Sequence, residues 1–465
     1  MRNLIHFSGG AAPRLAPLVA ALVLAGCSFA PTYERPAAPV ALAWPSGEGE
    51  AGALVSEMDW RDFAMDARLR EAIELALANN RDLRVATLNI EQVRAQYQIQ
   101  RAARLPTLNA VATGTRQTSS DGDIGNAFTA GLAMSGWEID FFGRIASLKD
   151  AALAQYLASE EARNAAQTSL VASVASTWLS LQTSDELLAL TQRTLKTRQD
   201  SLRLTQLRFN SGVVSALDLR QAESLLAAAQ ATLAQQQRQR ALDLNALTLL
   251  VGQTVPASAL PVAADALVAL SDVTPGLPSE VLMRRADVRA AEQQLIGANA
   301  NIGAARAAFF PRISLTASVG SASSELSGLF KSGSWGFSLA PQALLPIFDA
   351  GRNQAGLDVA KAQRDIAVAQ YEKSVQTAFR EVADALAGRA TLGEQWTAQQ
   401  AQAQAESERF RLADLRYRNG VASFLDVLDA QRSLFVTQQA LSQTRLAQQQ
   451  NRVALYKALG GGWKP

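Results

Sequence analysis

Two carboxylates, Asp426 and Asp429, stand three residues apart just beyond an Asn-Gly turn, and Asp218 holds the place of Asp426 in an earlier copy of the same segment. Few other side chains could do chemistry. The chain has one histidine, His6, and one cysteine, Cys27, both near the start. Beyond them, zinc-type sites, Ser-His-Asp triads and cysteine nucleophiles are excluded by inventory. Carboxylate chemistry stays open in principle, but no pocket signature accompanies it. The aspartates also have a structural reading: Ser215 and Ser423 precede Asp218 and Asp426 by three residues, the spacing of a capping box that starts a helix.

These residues sit in two related stretches. Residues 415–426 read Leu-Arg-Tyr-Arg-Asn-Gly-Val-Ala-Ser-Phe-Leu-Asp, and residues 207–218 read Leu-Arg-Phe-Asn-Ser-Gly-Val-Val-Ser-Ala-Leu-Asp; seven of the twelve positions are identical. Each lies between long Pro-free segments, so each is expected to be the tip of a helical hairpin. Gly212 and Gly420 supply the turn, because glycine takes positive φ at no steric cost.

The start of the chain has its own signal. Arg2 and Arg14 precede an apolar run over 15–24, followed by Leu24-Ala-Gly-Cys27. The run is too short to span a bilayer and has the flanks of a signal peptide. The small pair before cysteine resembles a bacterial lipoprotein signal, which implies that residues 1–26 are removed. Cys27 then carries an N-acyl chain and an S-diacylglycerol, with no other cofactor expected. The plain alternative is an ordinary secretory signal. Ser28, a non-acidic residue after the cysteine, implies release to the outer membrane. With one cysteine there is no disulfide framework.

The 465 residues carry a net charge of +2, with 48% hydrophobic and 18% charged residues. That suffices for a large core and is too balanced to suggest a nucleic-acid partner. Residues 27–65 read as an extended Pro/Ala/Gly-rich linker. The first repeat spans 66–251. It opens with a helix from Asp66, broken near Asn79-Asn80-Arg81, and then alternates over 107–116 and 126–138, apolar on one face and small or polar on the other. A helical hairpin over 144–251 follows; its first arm, to Asn210, has no Gly or Pro and would approach roughly 100 Å at about 1.5 Å per residue. A Pro-rich connector covers 252–285. The second repeat, 286–465, has strands near 312–321 and 335–347 and a hairpin over 352–459. The offset between repeats drifts only from about 205 to about 208 residues, which marks one tandem duplication.

Strands of about ten residues with this alternation suit a tilted membrane barrel. Four strands cannot close one, and an open edge in lipid leaves backbone groups unpaired. Several chains must therefore share a barrel; two would give eight strands and three would give twelve. Twelve suits a lumen better, because small barrels are filled by their own side chains.

At this point the chain resembles the TolC/NodT family of outer membrane efflux factors, in its lipoprotein start, its duplicated helix–strand–strand–helix plan and the tip motif over 419–432, Asn-Gly-Val-Ala-Ser-Phe-Leu-Asp-Val-Leu-Asp-Ala-Gln-Arg. The resemblance implies a mainly α fold with a membrane β-barrel: a homotrimer forming a 12-stranded barrel and a long α-helical tunnel across the periplasm. It implies a lipid-anchored, non-enzymatic exit duct for drugs or other small solutes, working with a periplasmic adaptor and an inner-membrane pump, usually of the resistance–nodulation–division class. It makes Asp426 and Asp429 carboxylate rings at the periplasmic gate, favouring cations and titrating together with some pKa values raised. Asp426 has capping as its alternative. Leu425 becomes an apolar constriction or a packed interhelical residue. Arg416 and Tyr417 tie neighbouring helices in the closed state or form an ordinary surface pair. Gly212, Val213, Gly420 and Val421 become adaptor-contacting tips or simple turn formers. Trp137, Phe141, Phe142, Trp335 and Phe348 are interface-belt aromatics or junction packing. Ala422 departs from the basic residue some members carry there, so that lock is expected to differ. A lipid-anchored periplasmic adaptor or structural coiled-coil protein fits the residues less well, since it would have a single hairpin; an outer-membrane duct for one-step protein secretion keeps the same architecture, and the residues do not separate the two cargo classes.

Overall fold

Alternation and helical runs each become the element they suggest. The computed structural model describes residues 29–45, 55, 58–118, 120, 122–262 and 268–463; Cys27 and the signal segment lie outside them. In chain order the elements are α1 (Trp60–Phe63), α2 (Ala67–Asn79), α3 (Arg81–Ala102), β1 (Asn109–Thr118), β2 (Ile124–Glu138), α4 (Arg144–Asn210) and α5 (Ala216–Val251). After these come α6 (Pro278–Leu282), α7 (Ala286–Ala307), β3 (Arg312–Ser323), β4 (Trp335–Leu344), α8 (Arg352–Arg418) and α9 (Phe424–Ala458). The strands depart from the periodicity by a few residues: β1 is shifted two residues later, β2 starts two earlier, β3 runs two longer and β4 stops at Leu344. The stretch read as a linker holds α1, and the connector holds α6.

The sheet is antiparallel throughout, in the order β1-β2-β3-β4, with β1 and β4 as its edges. Its register sorts side chains by face, since residues directly opposite share one. Ala110, Leu132, Val319 and Phe337 line up across the four strands on one face, with Met134, Ala317 and Leu339 in the adjacent row. The other face carries Thr113 opposite Thr129, Gly131 opposite Gly320 opposite Gly336, and Ser318 opposite Ser338. Leu132, Val319, Phe337 and Leu339 are exposed, so nothing among the described residues covers the apolar face.

The two sequence repeats are not the compact units. One unit combines residues 1–37, 90–159 and 291–371, and the other combines 38–89, 160–290 and 372–465. Both repeats contribute to each, because each repeat supplies two strands and two hairpin arms. The first unit holds the sheet. It also holds the segment after Phe29, fastened to α7 by hydrogen bonds from Arg306 to the Phe29 carbonyl (3.0 Å) and from Asn299 to the Pro31 carbonyl (2.7 Å). The second unit holds both hairpin tips and a core in which Phe63 stacks on Tyr456 at 4.0 Å between ring centroids. There Trp178 donates to the Ala259 carbonyl, and Trp44, 2% exposed, donates to the Gly276 carbonyl at 2.8 Å. No helix among the described residues is long and apolar enough to cross a membrane.

Candidate functional site: the two hairpin tips

Both tips are built by one local rule. The backbone N–H of Gly212 donates to Phe209 O and that of Val213 to Arg208 O; the equivalent bonds run from Gly420 to Tyr417 O and from Val421 to Arg416 O. This pattern is the Schellman motif, which satisfies the last carbonyls of a helix and needs a left-handed residue; Gly212 and Gly420 supply it with φ of 73° and 74°. Ser215 and Ser423 then cap α5 and α9, each accepting from the N–H of the aspartate three residues on, whose carboxylate accepts from the serine N–H. Asp218 and Asp426 are therefore engaged as caps.

Below the second tip, Phe424, Val427 and Leu428 pack with Ala222 of α5, against Leu202, Leu225, Phe410 and Tyr417. This small core fixes the rotation of α9 and so decides which residues face outward. Leu425 is 53% exposed, which places it outside that core. Val213 and Val421 are exposed at the turns.

Asp429 is not a cap and is ion-paired within the chain. It accepts from Arg409 of α8 and from Arg432 one turn further along α9, both at 2.5 Å, and Arg409 also pairs with Glu406. The Arg409 guanidinium holds the Asp429 carboxyl below the usual carboxylate range, with Arg432 adding to the effect. Within a chain the direction is opposite to the rise expected from crowded like charges, because the neighbouring charges are cations.

Arg416 and Tyr417 are placed differently from each other. Arg416 is exposed and contributes its backbone carbonyl to the turn. The side chain that reaches Tyr417 is Arg208, from the first hairpin, which donates to the phenol oxygen and lies 4.9 Å from the ring centroid. Tyr417 in turn meets Phe424 at 5.1 Å. Sequence reading missed Arg208, Arg409 and Arg432, although Arg208 occupies the position of Arg416 in the duplicated motif. It also missed Arg198, a buried cation above the Phe435 ring that donates to the Leu225 carbonyl.

The aromatics divide between the two readings. Trp335 and Phe348 are exposed, Phe141 is half-buried, Trp137 donates to the Arg104 carbonyl, and Phe142 stacks on Phe310 at 5.0 Å.

The duplicated tips and the two-faced sheet agree with what the chain is similar to. The model of the outer membrane efflux protein family matches residues 72–253 and 277–461. The chain belongs to the outer membrane efflux protein family. It is 48% identical over 460 residues to the toluene efflux pump outer membrane protein TtgI of Pseudomonas putida, covering 96% of this chain and 98% of that one. It is 48% identical to the outer membrane protein OprJ of Pseudomonas aeruginosa, covering 96% and 95%. Among solved structures, the open state of the MtrE outer membrane channel of Neisseria gonorrhoeae superimposes with a TM-score of 0.87 at 42% identity, over 94% of this chain and 99% of that one. The protein is thus an outer-membrane efflux component with the fold of outer-membrane channels. The adaptor alternative fails on the same ground and on the hairpins, of which the described residues form two.

Proposed function

We propose that the protein is the passive, gated exit duct of a tripartite efflux system, a homotrimer anchored by lipid on Cys27. The observation that carries this reading is the four-stranded sheet with both edges open and an uncovered apolar face. Neither edge is tolerable in lipid. Every neighbouring pair in the sheet is antiparallel, so β4 of one copy runs antiparallel to β1 of the next, and copies close head-to-tail into a ring. Three four-stranded sheets make twelve strands. Twelve leaves a lumen where eight would fill with side chains, and the Gly, Ser and Thr face keeps that lumen wet.

The hairpin tips serve as gate and docking point. Leu425 and the Asp426 and Asp429 rings narrow the mouth, and Tyr417 with Arg208 ties the hairpins in the closed state. Gly212, Val213, Gly420 and Val421 offer small, exposed turns against which a periplasmic adaptor can pack. An inner-membrane pump of the resistance–nodulation–division class drives the transport, and the duct performs no enzymatic step. The cargo is drugs or other small solutes, as toluene is for the relative TtgI, rather than secreted proteins.

The test is the native mass of the purified acylated protein together with its single-channel conductance in planar bilayers. A trimeric mass with small, mostly closed currents is expected. A monomeric mass without conductance would overturn the reading.

A further inference from the structure

The segment after Cys27 ends in an aromatic clasp. Phe29 stacks on Phe310 at 4.5 Å and lies 6.5 Å from Phe142, and those two rings stack on each other. Gly303 makes the approach possible: a Cβ there would come 2.7 Å from the Ala30 nitrogen. Further along, Tyr33 and Arg35 both donate to Glu292 of α7, at 2.9 and 2.6 Å. Residues 29–35 are thus strapped along α7, with Phe29 at the strand–helix junction.

Phe142 and Phe310 also line a cavity of about 270 Å³ at that junction, with Ile313, Leu344 and Pro346 among its apolar lining residues and Arg312, Arg352 and Glu138 among its charged ones. Ile347 and Phe348, directly after Pro346, are 86% and 89% exposed and extend the apolar surface outward. We infer that this cavity seats the glyceryl–ester core of the lipid carried by Cys27, fixing where the anchor enters the bilayer. The inference rests on the acylation of Cys27 proposed above.

Reach, size and chemistry support it. Cys27 is two residues before Phe29, so its Cα lies within about 7 Å of a fixed point. At about 30 Å³ per water-sized group, the cavity holds about nine such groups, enough for the glyceryl carbons and their ester groups. Ester carbonyls only accept hydrogen bonds, and a guanidinium carries donors beyond those one carboxylate uses. Arg312 shares Glu138 with Arg144 and keeps a largely exposed side chain. The acyl chains then leave along the apolar side.

The test places the photoreactive p-benzoylphenylalanine at Leu344, or at Ile139 as a second probe, in the full-length protein purified from outer membranes. After irradiation the N-terminal peptide and its adducts are read by mass spectrometry. The expected adduct joins the probe to the lipid of the N-terminal peptide. Phe29→Ala should lower its yield by about fivefold, the shift a stacked aromatic pair supports, with the native mass unchanged. Adducts only to extractable phospholipid, or an acylated N-terminal peptide with no adduct at either probe, would sink the inference while leaving the anchor intact. An N-terminal peptide with no acyl mass would remove both the inference and the anchor beneath it.

Discussion

Arg208 and Tyr417, separated by 209 positions in the chain, meet side chain to side chain, the guanidinium donating to the phenol oxygen while lying 4.9 Å from its ring centroid. They are one position away from being counterparts in the duplicated motif, so each repeat contributes one half of the contact. The hydroxyl and the ring can be separated by mutation. Tyr417→Phe removes the hydrogen bond, worth about 1 kcal/mol net, and should raise the open-to-closed ratio roughly fivefold. Tyr417→Ala also removes the cation–π and Phe424 contacts and should raise it further. Single-channel open probability is the readout; equal values for wild type and Tyr417→Ala would exclude the contact from the closed state.

Asp429 sits between Arg409 and Arg432, and this changes the expected selectivity and pH dependence. A carboxylate carrying two guanidiniums is not a free anionic site, so the wild-type channel should be only weakly cation-preferring. Asp429→Asn should shift the reversal potential toward anions in a salt gradient. The Asp429 carboxyl is held below its ordinary value, so its pairing contributes fully above the usual carboxylate pKa of about 4 and is lost as pH falls through the lowered value. Conductance should therefore be insensitive to this group between about pH 5 and about pH 8 and change only under stronger acid. A titration midpoint near pH 6 that disappears in Asp429→Asn would show instead that carboxylates from several chains crowd together and raise one another.

What could be read from the sequence was local. The Schellman turns and capping boxes lie within twelve residues, so Gly212, Gly420, Ser215, Ser423 and their aspartates were identifiable by spacing alone. The strand faces were identifiable because side chains alternate with period two. The long-range side-chain contacts were not. Arg409 reaches Asp429 across a hairpin, Arg208 reaches Tyr417 across the duplication, and charged side chains occur throughout these helices, so no periodicity singles out the ones that meet. Arg416 and Tyr417, adjacent in sequence, point to different sides of their helix, and it is Arg208 that meets Tyr417. The compact units escaped for a related reason: duplication is visible along the chain, whereas packing mixes both copies.

Two glycines with nearly equal φ should respond differently to the same substitution. Gly420 has φ 74° and nothing within 4 Å of an added Cβ. Gly420→Ala should cost only the left-handed backbone penalty, about 1 kcal/mol. Gly252 closes α5 at φ 77°, and an added Cβ would fall 2.4 Å from the Asn79 carbonyl oxygen. Gly252→Ala adds that clash with the backbone and should cost about 2 kcal/mol or more. Thermal unfolding of the two variants in the same detergent should rank them in that order; equal midpoints would mean that the α2 end yields freely.

Arg285 gives the sharpest stability prediction because four of its five donors are engaged. The side chain is 6% exposed. It donates to both carboxylate oxygens of Asp287, to Glu381 of α8 at 2.7 Å, and to the Ala458 carbonyl at the end of α9 at 2.8 Å. One guanidinium thus joins the start of α7 to two other helices. Arg285→Ala would leave two carboxylates near each other and a helix-end carbonyl without its donor, a loss of about 2–3 kcal/mol, less than for a fully buried pair because both carboxylates reach solvent. Arg285→Lys keeps the charge, but an ammonium has no planar fork and cannot serve Asp287 bidentately while reaching the other two acceptors. It should fall between wild type and Arg285→Ala. If Lys restored wild-type stability, charge alone would account for the site; if Lys were no better than Ala, the geometry of the fork would account for all of it.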